Sequence, residues 1–106
     1  MIRGKGKEII MTEGDYGITL PINIKGIDLE KNDVITIIIK SEKNGEECLC
    51  KTFSDIENNT FSFSLTEEES KKLTPRRYVY SLDWYRENSL FCNLIKDGTF
   101  VVEDKC

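Results

Sequence analysis

The stretch TFSFSLTEEESKKLTPRRYVYSLDWYR, from Thr60 to Arg86, decides the fold. Phe61, Phe63 and Leu65 alternate with Thr60, Ser62 and Ser64, the period of a strand with one buried and one wet face. Thr66 and Glu69, three apart, predict a capping box in which the threonine oxygen takes a free amide and the glutamate reaches back. Glu67, Glu68 and Glu69 then sit at the positive end of the helix dipole and Lys71 and Lys72 at its negative end. Pro75 bars continuation, so one short helical turn is expected near Glu67 to Leu73. From Arg76 the period returns to two. Tyr78, Tyr80, Leu82 and Trp84 share one face, and Val79, Ser81, Asp83 and Tyr85 share the other.

Working outward, the same period recurs on both sides. Upstream, Glu8 to Met11 reads as a short strand, Gly14 and Asp15 as a turn, and Tyr16, Ile18, Leu20, Ile22 and Ile24 as one face of a half-buried strand. Pro21 removes a ladder amide there, which predicts an edge or a bulge. Val34 to Lys40 is apolar on both faces and is expected inside a sheet. Asn44 and Gly45 predict a tight type I′ hairpin turn into a strand from Glu47 to Phe53. Asn58 and Asn59 turn the chain into the Phe61 strand. Downstream, Glu87 and Asn88 turn it into Leu90, Cys92 and Leu94, and Asp97 with Gly98 mark a turn or bulge before Phe100, Val101 and Val102. The lead-in Met1 to Lys7, with Arg3, Lys5 and Lys7 among Gly4 and Gly6, reads as a flexible basic end. Seven or eight short strands at hairpin spacing predict an all-β, antiparallel, Ig-like β-sandwich spanning residues 1–106 as one domain.

The 106 residues are 39% hydrophobic, enough for one core. Fifteen basic and nineteen acidic residues leave a net charge of −4, which gives no general attraction to nucleic acid or an anionic bilayer. The longest apolar run is Val34 to Ile39, interrupted by Thr36, and no secretory signal precedes it, so the chain is expected to stay inside the cell where it is made. Cys48, Cys50, Cys92 and Cys106 are expected as free thiols, with one bridge from Cys48 or Cys50 to Cys92 as the alternative. They lack the paired ligand spacing of a zinc site. Asp28, Glu30, Asn32 and Asp33 lack the glycine and terminal glutamate of a calcium loop and read as a solvated turn.

SLTEEESKKLTPRRYVYSLDW, followed by LIKDGTFVV, resembles the small Ig-like domain of phage and prophage tail proteins, related to the N-terminal domain of baseplate upper proteins. The positions that carry the resemblance are Leu65, Thr66, Glu67 to Glu69, Leu73, Tyr78, Tyr80, Gly98 and Val102, with Gly14 and Asp15 ahead of an alternating strand. Members usually carry glycine before the tyrosine strand, where this chain has Pro75, Arg76 and Arg77. The resemblance implies a β-sandwich made in the bacterial cytoplasm and a virion-associated or assembly role. Other tail or baseplate subunits, or a second copy, are the implied partners. It implies no catalytic residues.

The chemistry available agrees with an interaction role. No histidine is present, which excludes Ser-His and Cys-His nucleophiles, and no phosphate-binding glycine loop occurs. No catalytic, cofactor or metal residue is assigned, and no cofactor is expected. Tyr78 is expected to turn its hydroxyl back on the backbone near Leu73 or Thr74, as a tyrosine corner does. Thr66, Glu69, Leu73, Tyr80, Trp84 and Gly98 are likewise structural. Val79, Asp83 and Tyr85, on the opposite face, are the candidate partner contacts. Arg76, Arg77 and Arg86 are expected to pair with the acids of the short helix. Two functions fit: a structural tail or baseplate protein acting through protein contacts, or a module that binds a host-surface glycan or protein.

Overall fold

The computed structural model describes residues 2–5, 8–14, 20–24, 29, 30, 32–54, 56, 57 and 59–104, with backbone alone for 2–5. The Asp15 turn position, Tyr16 and Ile18 of the expected strand, Asp28, Asn58, Lys7, Cys106 and the side chains of Arg3 and Lys5 lie outside the described residues.

Strand period dictates the elements. The eight strands are β1 (Ile2–Lys5), β2 (Glu8–Thr12), β3 (Leu20–Asn23), β4 (Val34–Lys40), β5 (Glu47–Phe53), β6 (Thr60–Phe63), β7 (Arg76–Arg86) and β8 (Ser89–Glu103), with the helix α1 (Glu67–Lys71) between β6 and β7. Six strands form one sheet in the order β1-β2-β8-β7-β4-β5, and β3 and β6 form a second sheet. The small sheet lays Phe61 and Phe63 on the inner face of the large one. Phe61 meets Phe53 at 5.1 Å between ring centres, and Phe63 meets Phe100 edge-on at 6.1 Å. Around these rings pack Ile35, Ile37 and Ile39 of β4 with Tyr78, Tyr80, Leu82 and Trp84 of β7, all buried. Each such apolar side chain contributes about 1.5–3 kcal/mol on burial, so this layer is the main source of stability. The expected alternation of β7 therefore stands, and β4 lies inside the sheet between β5 and β7. Among the described residues β3 pairs with β6 alone, which places Pro21, exposed, on an edge strand.

Several expectations are corrected. The sheet is not wholly antiparallel, because Ile9 to Thr12 of β2 run parallel to Phe100 to Glu103 of β8. No hairpin joins the first strands to the last, so no turn forces them antiparallel. The lead-in expected to fray supplies β1, whose residues Ile2 to Lys5 satisfy the outer edge of β2. The region after Asn88 is one strand, and of the two forms expected at Asp97 and Gly98 it takes the bulge, not the turn. Tyr80 faces Gly98 and Leu82 faces Ile95, so Lys96 and Asp97 stand opposite Ser81 as a bulge, with Asp97 at φ +57°. Two more register shifts leave Leu94 and Phe91 as extra residues. Gly98 is required where β8 passes under Tyr80, since a Cβ there would lie 2.6 Å from the ring.

The turns also divide. Glu87 and Asn88, at φ +53° and +64°, close β7 on β8 as a two-residue turn of the primed kind. Asn44 and Gly45 do not take that geometry. Gly45 donates its amide to the Glu42 carbonyl at 2.9 Å, which centres the turn on Lys43 and Asn44, and neither Asn44 nor Gly45 has positive φ. A register shift leaves Cys48 as an extra residue between Glu47 and Leu49 and moves the turn.

Candidate functional site

β7 presents two faces and the structure separates their tasks. On the inner face Tyr78, Tyr80 and Trp84 are buried, and the corner and the helix cap beside Tyr78 are hydrogen-bonded. The Tyr78 hydroxyl donates to the Thr74 carbonyl at 2.9 Å and accepts from the Thr74 amide at 2.9 Å. Thr66 Oγ1 accepts from the Glu69 amide at 3.2 Å, and Glu69 Oε1 accepts from the Thr66 amide at 2.8 Å, a complete capping box. Glu69 Oε1 also accepts from Lys51 Nζ at 2.8 Å, and the same ammonium donates to the Ser64 carbonyl at 2.6 Å. Burial works to raise the Glu69 pKa, but the Lys51 and Thr66 bonds outweigh it and hold the carboxyl below its ordinary value. Leu73 is buried beneath this corner, and burial alone pushes the Tyr80 phenol up to about 12.

Arg76 and Arg86 engage groups other than the helix acids expected as their partners. Arg76 donates to the Ser41 carbonyl at 3.1 Å and lies over the Tyr78 ring. Arg86 grips Asp33, with Nε to Oδ1 and Nη2 to Oδ2 both at 2.9 Å, a bidentate pair. Asp33, read as part of a solvated turn, is 1% exposed. The Arg86 guanidinium first, then the Glu30 amide and the Trp84 indole, overcome the opposing effect of burial and lower its pKa to about 2. The indole N–H of Trp84 is buried near this carboxylate without reaching hydrogen-bond geometry to any described acceptor. Arg86 also lies beside the touching pair of Trp84 and the bulged Phe91, at 5.0 and 4.8 Å from their ring centres, which are 4.5 Å apart.

The outer face carries the expected contact residues. Val79 and Tyr85 are half-buried there, and Asp83 is 8% exposed. Register builds a polar row across four strands: Thr52, Thr36, Asp83 and Asn93 are successive partners on β5, β4, β7 and β8. The threonine hydroxyls are 3.3 Å apart, and Asn93 Nδ2 donates to Asp83 Oδ1 at 2.6 Å. Two shallow grooves flank the row. One, about 370 Å³, holds Tyr85 with Thr36, Thr52, Glu30 and Glu87. The other, about 380 Å³, holds Asp83 and Asn93 with Ser81, Lys40, Lys43 and Lys96. Asp83 and Tyr85 thus line neighbouring grooves, while Val79 lines neither. Ser81 stood on this face in the sequence without a role, and the contributions of Thr36, Thr52 and Asn93 depend on strand register, which no local pattern encodes.

Cys48, Cys50 and Cys92 are free thiols. Burial, then the charges of Glu47 and Asp83, raise the Cys50 pKa, which makes it a poor nucleophile. Among the described residues no three acidic, cysteine or histidine side chains are placed to hold a metal, and no helix is long and apolar enough to cross a membrane. Comparison with known proteins returned no matching family model, no similar curated protein and no similar solved structure.

Proposed function

We propose that the chain is a non-enzymatic structural component of a phage or prophage tail or baseplate, acting through protein–protein contacts, and that its architecture is an Ig-like sandwich. The architectural reading is supported by β3 and β6 packed on the larger sheet and by the tyrosine-corner bond of Tyr78. The single observation that carries the functional reading is the open edge of β8. From Ser89 to Thr99 this strand is paired with β7 on one side, and among the described residues the other side is covered only from Phe100 onward, by β2. At the start of that open edge Leu90 and Phe91 are 52% and 57% exposed, and they are the only large hydrophobic residues so exposed among the described ones. Unpaired backbone groups beside exposed apolar side chains suit addition of a partner strand.

The test is affinity capture of the tagged chain from lysate of the source organism, with mass spectrometry of what accompanies it. Tail or baseplate subunits should be retained by the natural chain and lost with Leu90→Asp, whose thermal midpoint should stay unchanged. Recovery of no such subunit, or equal recovery with Leu90→Asp, would overturn the reading. A binding module for a host-surface glycan or protein is the second reading. It is favoured by Asp83, which is nearly buried yet makes one hydrogen bond among the described residues, on Oδ1, and leaves Oδ2 to the groove.

A further inference from the structure

Resting on that second reading, we infer that the Asp83 groove takes a saccharide bearing one anionic group, a carboxylate or a phosphate. Asp83 Oδ1 is held by Asn93, while Oδ2 is open to the groove as an acceptor, for which a sugar hydroxyl is a suitable donor. Asn93 holds Asp83 in place through one amide hydrogen at 2.6 Å, leaving its second amide hydrogen and its carbonyl oxygen for ligand. Ser81 adds a hydroxyl on the same wall, and Ile38 and Ile95 give an apolar surface for the C–H face of a sugar ring. These groups recognise a polyol.

Charge selects which polyol. Lys40, Lys43 and Lys96 line the groove against two acids, Asp83 and Asp97, an excess of one positive charge. Lys43 is spent on Asp97 at 3.7 Å, whereas Lys40 and Lys96 form no ion pair among the described residues. Hydroxyls therefore belong against Asp83 and Asn93, and the anionic group against Lys40 and Lys96. The neighbouring groove, with Glu30, Asp33 and Glu87 against Arg86 on its wall, has the opposite bias and disfavours the same ligand. A volume of about 380 Å³ suits one or two sugar rings.

The test is amide NMR titration of the full chain with glucuronate, glucose 6-phosphate, glucose and inorganic phosphate. Glucuronate or glucose 6-phosphate should shift the Ser81, Asp83 and Asn93 resonances, and whichever binds more tightly identifies the acid. Glucose should bind more weakly at the same residues. The double variant Lys40→Gln, Lys96→Gln should weaken the acidic sugars roughly three- to tenfold and leave glucose unchanged, as expected for partly exposed charges. Asp83→Asn should weaken all three sugars. Phosphate binding as tightly as glucose 6-phosphate would reduce the groove to an anion site and overturn the proposal. Shifts confined to Val34, Tyr85 and Asn88 would also overturn it while keeping the glycan reading. No shift with any sugar, together with no retention on a glycan array, would remove both.

Discussion

At the Tyr78 end of β7 the hydroxyl closes on Thr74 four residues away and Thr66 caps Glu69 three residues away. At the Arg86 end the guanidinium reaches Asp33 across 53 residues of chain. The first end is fastened by these contacts within four residues, to which Lys51 on Glu69 and Ser64 and Arg76 on Ser41 add ties from elsewhere in the chain. The second end exists only once β4 and β7 have paired in register, because Val34 opposite Tyr85 is what brings Asp33 beside Arg86. Local closure gives a well-covered corner with Leu73 and Tyr78 buried, while the distant closure leaves Leu90 and Phe91 in solvent. The end fastened across the longer stretch of chain is thus the end that presents its apolar side chains outward.

Three substitutions sharpen or break this contrast. Tyr78→Phe should have the largest effect, a loss of about 1–3 kcal/mol in urea unfolding, because the amide and carbonyl of Thr74 both lose their partner. A smaller loss than at Asp33 would break the claim that the local corner is the stronger fastening.

Asp33→Asn should cost about 1–2 kcal/mol at neutral pH, after allowance for solvent near the partly exposed Arg86. The Asp33 carboxyl titrates at about 2 against an ordinary 3.8. Because the folded value is the lower one, its contribution is present in full above the ordinary value and is lost as pH falls toward 2. The natural chain should therefore lose stability more steeply than Asp33→Asn across that window. Parallel acid unfolding curves for the two proteins would mean that the pair adds nothing.

Phe91→Ser should be smallest, about 0.5–1 kcal/mol, since the ring is more than half exposed and gives up only its stacking on Trp84 and Arg86. Its sharper effect should be on binding. If the open edge of β8 is the contact surface, the variant should lose captured subunits while keeping nearly all of its thermal stability.

Legibility in the sequence follows the same division. The capping box, the tyrosine bond, the Glu87 and Asn88 turn and the two faces of β7 were readable because each depends on residues a few positions apart. Asn44 and Gly45 misled, although their composition was right for a tight turn, because a bulge at Cys48 in the partner strand moved the turn's centre. Asp33 misled for the complementary reason. Its neighbours are those of a solvated loop, and only Arg86 from a distant strand makes its burial tolerable. Of the outer face of β7, Asp83 and Tyr85 were legible from period two, but the groove beside Asp83 needs Asn93 and Lys96 from β8 and Lys40 from β4.

The sequence by itself determined that this is an all-β chain with one capped helical turn, which side chains of β7 face inward, and that no histidine-based catalysis is available. Those properties come from side-chain period, capping chemistry and composition, which act over a few residues or over none. Only the tertiary structure decided that β2 runs parallel to β8, that the second half of the hairpin is a single bulged strand with an open edge, and that Thr52, Thr36, Asp83 and Asn93 form one row. Strand order and register are settled by the competition of whole faces for one core, so no short stretch of sequence contains them.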